Sequence, residues 1–273
     1  FLRQSVMAPD FRDGNFLSTD QRIPVSVVKT NACRAVGTNA IRGHVWDNFS
    51  SETYKNSPAS GAVWVYNPWT KDSTQWAPPA DGRGYYRVPS LASIWASAPF
   101  LHNNALGAEN HDPSVAGRMH AFDDAVQKLL WPERRAGVAS ISRTTRESYL
   151  QIPASYLPTT LRPLAEGTPY FRLGPIPAGT PINLLASASV RWSDSTEYNT
   201  RLIALLLRAK RDFVRIRVSG KTGDAAAQEL TNLVPDLLAI SNCPDFIEDK
   251  GHYFGTKLSD ADKRALIEFL KTL

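Results

Sequence analysis

The chain has 273 residues, of which 42% are hydrophobic and 10% aromatic, a composition that supports a sizeable core and excludes a disordered protein. Its 31 basic and 26 acidic side chains leave a formal net charge of +5 without a Lys/Arg block, so the charge does not indicate nucleic acid as a partner. A membrane-spanning helix needs about 20 consecutive apolar residues. The best run, residues 202–207, is far too short, so no transmembrane segment is predicted.

The first part of the chain, residues 1–116, is rich in Trp, Tyr, Asn, Ser and Pro and is predicted to be rich in loops. Its clearest strand is 63–66, where a Val-Trp-Val-Tyr run is followed by prolines that end it. A helix is predicted over 118–130, because apolar side chains at i, i+3, i+7 and i+10 share one helix face. These side chains are Met119, Phe122, Val126 and Leu129.

The second part, residues 117–273, is predicted to be mainly helical. Seven prolines make 151–182 an irregular segment, and the spacing of its Tyr and Leu side chains predicts a helix over 197–212. Another helix is predicted over 224–240, bent or restarted near Pro235.

The last helix has the clearest start signal, because Ser259 with Asp262 three residues later forms a capping pattern. The sequence thus predicts a mainly α fold with long ordered Pro/Trp-rich loops, organised as a single unit over residues 1–273. Long loops are uncommon in a compact domain unless they have a function of their own, which favours a bound cofactor or partner.

Cysteine usage is sparse, with only Cys33 and Cys243 and no C-x-x-C motif. This excludes a Cys-rich zinc module, a thioredoxin-type pair and the C-x-x-C-H motif that attaches haem c. A disulfide between the two, suited to an oxidising compartment, and two buried free thiols are both open. The chain begins at Phe1 without an initiator Met, a basic n-region or an apolar h-region. Either a signal peptide was cleaved or the chain is a fragment of a longer protein, and we expect a fragment.

Motifs of self-contained catalysis are missing from the sequence. It contains no H-E-x-x-H zinc motif, no G-x-S-x-G nucleophile elbow, no P-loop and no G-x-G-x-x-G after a strand. Metalloprotease, serine hydrolase and nucleotide-binding functions are therefore disfavoured.

Two segments resemble di-haem c-type cytochromes, the group of the bacterial cytochrome c peroxidases and the rubber oxygenases. Residues 85–104, YYRVPSLASIWASAPFLHNN, are similar to the Y-x-x-P-x-L-x-x-x-W-x-x-A-P-Y-x-H-N-G stretch that closes over the second haem of these proteins. Residues 249–273 resemble the closing helix of cytochrome c domains. Residues 10–22 and 43–47 also resemble connecting parts of larger members of this group. The resemblance covers about half of the chain and implies a cytochrome c-like domain that binds haem c.

The resemblance implies His102 as the distal axial ligand of the haem iron. A neutral imidazole binds iron through one nitrogen and needs a partner at the other to orient the ring, and Asn103 is placed to orient a neighbouring loop. Met119 is the runner-up ligand, although its place on an apolar helix face also suits a core methionine. A structural role is the alternative for His102.

Four further residues are candidate cofactor contacts under the same resemblance. Arg83 and Arg87 are candidates for pairing with the haem propionates, because a guanidinium matches a carboxylate. Trp95 is a candidate wall or electron-relay residue, and His252 is a candidate for packing against the porphyrin or donating to a propionate. Ordinary packing or solvent exposure is the alternative for each.

The family attaches its haem through C-x-x-C-H, which this chain lacks, so the resemblance implies an attachment motif upstream or in another chain. We therefore expect haem-dependent electron transfer by the C-terminal part of a periplasmic or secreted di-haem oxidoreductase, linked to peroxide or O2. Its expected partners are the N-terminal haem-bearing segment or chain and a redox protein, with catalysis at the other haem. In such a protein Cys33 and Cys243 are expected to form a disulfide. The alternative is a haem-free binding or structural subunit that keeps a cytochrome-like scaffold to dock a partner.

Overall fold

The computed structural model is 45% helical and 15% β-strand, a mixed α/β structure. The prediction of a mainly α, cytochrome c-like domain is therefore wrong, and no cytochrome fold is shown. One reason is the Pro-rich stretch 151–182. Its prolines indicated an irregular segment, but it contains strand residues. The structure describes residues 2–8, 22–30, 35, 52–78, 83–157, 159–165, 167–190, 195–241 and 244–273.

The secondary-structure elements are short apart from three helices. The helices are α1 (Leu2–Val6), α2 (Val25–Val28), α3 (Glu52–Lys55), α4 (Val115–Leu130), α5 (Asn183–Ser187), α6 (Thr196–Ser219), α7 (Gly223–Glu229), α8 (Val234–Ala239) and α9 (Asp260–Leu270). The strands are β1 (Arg22–Pro24), β2 (Val63–Tyr66), β3 (Ser73–Trp76), β4 (Tyr85–Arg87), β5 (Ser148–Pro153) and β6 (Tyr170–Ile176), which pair as β1–β4, β2–β3 and β5–β6.

The chain folds into two compact units. Unit 1 consists of Phe1–Val63, Ala77–Ser140 and Ile247–Leu273, and unit 2 of Trp64–Trp76 and Ile141–Phe246. No helix in the described ranges is long and apolar enough to cross a membrane.

Helix α4 forms the centre of unit 1. Its start is capped by Ser114, whose hydroxyl accepts a hydrogen bond from the Gly117 amide at 3.0 Å. Its apolar face is buried in a cluster with the start of the 3₁₀ turn at 94–96 and with α9. The helix predicted over 118–130 is thus confirmed and begins one turn earlier, at the cap.

Helix α9 packs against α4 and closes the apolar cluster of unit 1. The predicted cap is confirmed, because the Ser259 hydroxyl accepts a hydrogen bond from the Asp262 amide at 3.2 Å. At the adjoining end of α4, the Trp131 indole donates to Asp260 at 2.9 Å and lies under the Lys263 ammonium, 4.9 Å away. The two helices are thereby joined at one end by polar contacts.

Helix α6 forms the core of unit 2. Side chains at helical spacing along one face are buried, among them Leu202, Leu206 and Phe213. The helix extends beyond the predicted 197–212, because the buried face continues to Ile216 and Gly220 then adopts the left-handed conformation that ends it.

Strand β6 and helices α7 and α8 of unit 2 pack against α6. Strands β5 and β6 are antiparallel, and β6 alternates exposed and buried residues at 170–173 as a half-buried strand requires. The helix expected over 224–240 forms as α7 and α8, with α8 starting at the residue before Pro235. The predicted strand 63–66 and the predicted restart near Pro235 are both confirmed.

Candidate functional site

Unit 1 contains a cavity of about 380 Å³ whose walls are mainly apolar. Helix α4 contributes three side chains from its buried side, α9 contributes one, and the 86–102 segment contributes most of the remainder. Two histidines, His102 and His252, line the same cavity. The volume lies in the range of about 300–1,000 Å³ that is typical of small-molecule and cofactor sites.

A short loop presents His102 to the cavity. The loop is closed at its base by two backbone hydrogen bonds between Phe100 and Leu106, at 2.8 and 3.2 Å. Its tip is tied down by Asn103, whose amide donates to the Glu248 carbonyl at 2.9 Å. The expectation that Asn103 orients a neighbouring loop is therefore confirmed.

Tyr86 holds the His102 ring in a defined orientation. The Tyr86 Oη atom lies 3.0 Å from His102 Nδ1, and the two rings are stacked with centroids 5.3 Å apart and an interplanar angle of 21°. Tyr86 is the central residue of β4, paired with Ile23 of β1, so its own position is set by the sheet. If Nδ1 carries the proton and donates to the phenol oxygen, the imidazole lone pair is on Nε2.

His252 reaches the cavity from a tightly constrained loop. Its own φ is +54°, and that of Gly251 is +93°. A Cβ atom on Gly251 would lie 2.2 Å from the Thr30 Cα, so only glycine fits this close approach. The His252 amide donates to the Val28 carbonyl at 3.0 Å, which fixes the loop against the end of α2.

Arg135 binds the same loop to the end of α4. Its guanidinium donates hydrogen bonds to the carbonyls of Asp249, Gly251 and His252 at 3.2, 2.6 and 3.5 Å. It also donates to two carbonyls in the last turn of α4, that of Lys128 at 2.8 Å and that of Leu129 at 3.0 Å. One side chain thus satisfies carbonyls that the helix end leaves without partners and positions the backbone of His252.

Asp249 fixes the beginning of the His252 loop. Its carboxylate is 2% exposed and accepts hydrogen bonds from the Gly137 amide at 3.0 Å and the Ser140 hydroxyl at 3.2 Å. Ser140 in turn accepts from the Glu248 amide at 3.1 Å. The loop is therefore anchored by side chains as well as by its backbone.

The surroundings of His252 keep its imidazole neutral. Burial, with smaller contributions from the charges of His102 and Arg135, lowers the pKa of His252 from its ordinary 6.5 to about 4. A neutral imidazole retains a lone pair for a metal or a hydrogen-bond donor, and adds no charge to an apolar site.

The predicted site residues separate into two groups. His102, His252 and Arg87 line the cavity. Trp95, Met119 and Arg83 do not line it. Trp95 is half-buried and packs against the apolar cluster, and Met119 is half-buried on α4. Arg83 is 2% exposed, and its guanidinium lies 5.8 Å from the centre of the Tyr54 ring. The disulfide predicted for Cys33 and Cys243 lies outside the described residues.

The sequence patterns predict no role for two residues of the site, Tyr86 and Arg135. A signal existed for Arg135, because a basic residue shortly after a helix end is favoured to bind the last carbonyls. For Tyr86 the partner lies sixteen positions later, and only the folded chain brings the two rings together. Among the described residues, no group of three or more His, Cys, Asp or Glu side chains is arranged to hold a metal ion.

Neither a protein-family model, nor a curated protein, nor a solved structure matches this chain.

Proposed function

We propose that the cavity of unit 1 binds haem and that the chain acts in haem-dependent electron transfer, as part of a periplasmic di-haem c-type oxidoreductase linked to peroxide or O2. One observation carries the proposal: His102 and His252 line a single apolar cavity of about 380 Å³. Histidine is a haem ligand, and an apolar wall is what a porphyrin face requires.

The residues present are suited to such a group. Haem is a largely apolar plane with carboxylates at one edge, and the cavity combines aliphatic and aromatic walls with one guanidinium, that of Arg87. His102 would hold the iron and Arg87 would pair with a propionate. When bound, an iron porphyrin supplies reversible one-electron transfer.

The protein's own part is to hold the two histidines in position and to present an apolar wall to the bound group. Tyr86 stacks on His102 and contacts its Nδ1, which is the kind of partner that fixes the ring of a ligand histidine. Arg135 and Asp249 hold the loop that carries His252. In a haem site, axial ligation and burial are the protein's means of setting a potential.

Attachment of the haem needs a component beyond these 273 residues, because their sequence contains no C-x-x-C-H. The proposal therefore includes an N-terminal haem-bearing segment or chain as one partner and a redox protein as another. Catalysis belongs to the other haem, and no residue of this chain is assigned to it.

Titration of the purified chain with hemin tests the cavity. We expect a shifted Soret band with the spectrum of an imidazole-ligated haem. His102→Ala should weaken hemin binding by about tenfold or more, because it removes the ligand. His120→Ala and Met119→Leu should change the affinity by less than about twofold, because neither residue lines the cavity.

Two results would refute the cavity as the haem site. The first is hemin binding that His102→Ala leaves unchanged in a variant whose circular dichroism matches the wild type. The second is a loss of binding in Met119→Leu with retention in His102→Ala, which would move the ligand to Met119.

A second candidate function, a haem-free subunit that docks a partner, is favoured by the missing attachment motif. The two functions predict different haem contents for the protein purified from its natural source. A pyridine-haemochrome spectrum of the protein purified from its source should show iron porphyrin if the chain serves electron transfer. Its absence would favour the docking function.

A further inference from the structure

A second feature of the molecule, independent of the haem site, lies on the outer side of α6 in unit 2. Three large apolar side chains on this helix are exposed: Leu207 by 47%, Val214 by 50% and Val218 by 83%. Their spacing of seven and four residues places them in one row along the helix. Their exposure is notable because the opposite face of α6 already supplies the core of the unit.

Basic side chains surround this apolar row. At about 100° per residue, Arg211 falls within the row itself, while Arg208 and Arg215 lie along one side of it and Lys210 and Arg217 along the other. The helix has six basic and two acidic side chains, a net charge of +4 in a chain whose total is +5. Its acidic residues are Glu197, at the first turn, and Asp212, which is buried.

The charge in the middle of the row is available to a partner. Arg211 is exposed and forms no ion pair with any residue in the described part of the chain. By contrast, Arg208 is already paired with Asp236, and Arg215 with Asp212. An arginine between exposed aliphatic side chains, with no ion pair to another described residue, matches the composition of protein interfaces, where Arg is enriched.

We propose that the α6 surface, defined by Leu207, Arg211, Val214, Val218 and their basic flanks, is a docking site for an acidic protein partner. The partner presents an apolar ridge that covers the row, with a carboxylate that pairs with Arg211 and further Asp and Glu side chains that face the basic flanks. Bidentate pairing of guanidinium with carboxylate supplies orientation, and the long-range charge raises the rate of encounter.

Other occupants suit this surface less well. A second copy of the chain would place one basic helix against another, which like charges disfavour. Nucleic acid bound as a single strand calls for aromatic side chains on which bases stack, and the row is aliphatic. A membrane-binding helix carries its apolar and basic residues on opposite faces, often with Trp or Phe on the apolar side, whereas here Arg211 divides the row.

Fluorescence anisotropy with a defined probe tests the proposal. The probe is a synthetic peptide of about 21 residues (~30 Å as a helix) with Leu at helical spacing and Glu on both flanks. A scrambled peptide of the same composition is its control. The α6 surface should bind the amphipathic peptide about tenfold or more tightly than the scrambled one, and the affinity should fall as salt rises.

Variants locate the binding to this helix. Arg211→Glu should weaken binding of the amphipathic peptide by about tenfold or more, and Val214→Ser with Val218→Ser by about fivefold. Matched changes on exposed positions of unit 1, Lys257→Glu and Val115→Ser, should alter it by less than about twofold. All these positions are exposed, so the fold should be unaffected.

Three outcomes would overturn the proposal. Equal binding of both peptides would show that charge alone is responsible. Loss of binding in Lys257→Glu as large as in Arg211→Glu would remove the link to α6. Tighter binding to vesicles of phosphatidylglycerol and phosphatidylcholine, or to a single-stranded oligonucleotide, than to the amphipathic peptide would assign the surface to a different class of partner.

Discussion

The two units use their apolar residues in different ways. Unit 1 arranges them around a cavity of about 380 Å³, and the four histidines among the described residues, His102, His111, His120 and His252, lie in its segments. Unit 2 packs them around α6, and the pocket beside α7 and α8 has a volume of about 40 Å³. A packed unit is suited to presenting a surface, and a unit with a cavity to binding a small group. The expected loss of stability on mutation therefore depends on the unit in which the residue lies.

The largest expected effect is on the free energy of unfolding, when the same Leu→Ala substitution is made in each of the two units. Leu202→Ala in the core of unit 2 should lower the free energy of unfolding by about 3–5 kcal/mol, because Leu202 is fully buried and its removal leaves a new cavity. Leu129→Ala in unit 1 should cost about 1–2 kcal/mol, because Leu129 already faces a void and is half-buried. Urea denaturation followed by circular dichroism measures both. Equal losses would mean that the cavity does not persist in solution.

The next effect concerns the loop that carries His252. Arg135→Met should lower the free energy of unfolding by about 2–3 kcal/mol, because several partly buried carbonyls lose a charged donor. It should also speed hydrogen exchange of the His252 amide. The neighbouring and exposed Arg134→Met is the control and should cost about 0.5 kcal/mol or less. A variant as stable as the wild type would show that Arg135 does not hold the loop.

A third effect depends on pH and belongs to unit 1. The folded pKa of His252 is about 4, below its ordinary 6.5, so between these values the unfolded chain binds a proton that the folded chain does not. Stability should therefore fall as pH decreases from 7 to 5. The loss should be about 1–2 kcal/mol after allowance for partial solvent exposure of the ring.

Two histidine variants separate this effect from general acid sensitivity. His252→Gln should remove most of the stability difference between pH 7 and pH 5, whereas His120→Gln, at an exposed position of α4, should retain it. Thermal unfolding at the two pH values is the measurement. A wild type whose stability is the same at pH 7 and pH 5 would contradict the burial of His252.

The smallest effect tests the orientation of His102. Tyr86→Phe should cost about 1 kcal/mol through loss of one hydrogen bond and should change the tautomer ratio of the His102 ring, observed by ¹⁵N NMR. Tyr85→Phe is the matched control, because Tyr85 donates to the Pro58 carbonyl at 2.8 Å instead. It should leave the His102 tautomer unchanged. An identical His102 spectrum in both variants would show that Tyr86 does not orient the ring.

Local signals in the sequence were sufficient for some elements. The start of α9 was predictable because Ser259 caps its own helix within four residues. Helix α4 and the restart near Pro235 were predictable for the same reason, since periodicity and proline act over one or two turns. The strands β5 and β6 were not predicted, because each contains a proline, which indicated an irregular segment. Their alternation of buried and exposed residues depends on the pairing of the two strands.

Some residues of the candidate site were also predictable from the sequence, and others were not. His102, His252 and Arg87 were identified from the sequence, whereas Trp95, Met119 and Arg83 were placed beside a cofactor and do not line the cavity. Arg83 shows the reason most clearly. It is four residues from Arg87 in the sequence, yet it is buried beside Tyr54 and does not line the cavity.

The sequence by itself determined the helix caps, the apolar faces of α4, α6 and α9, and the histidines available for a site, because each depends on neighbours a few residues away. Only the tertiary structure decided that the chain forms two units from interleaved segments, that Tyr86 meets His102, and that Arg135 holds the loop of His252. These contacts join residues that are between 16 and 117 positions apart. Contacts over such separations follow from the packing of the whole chain and not from local propensity.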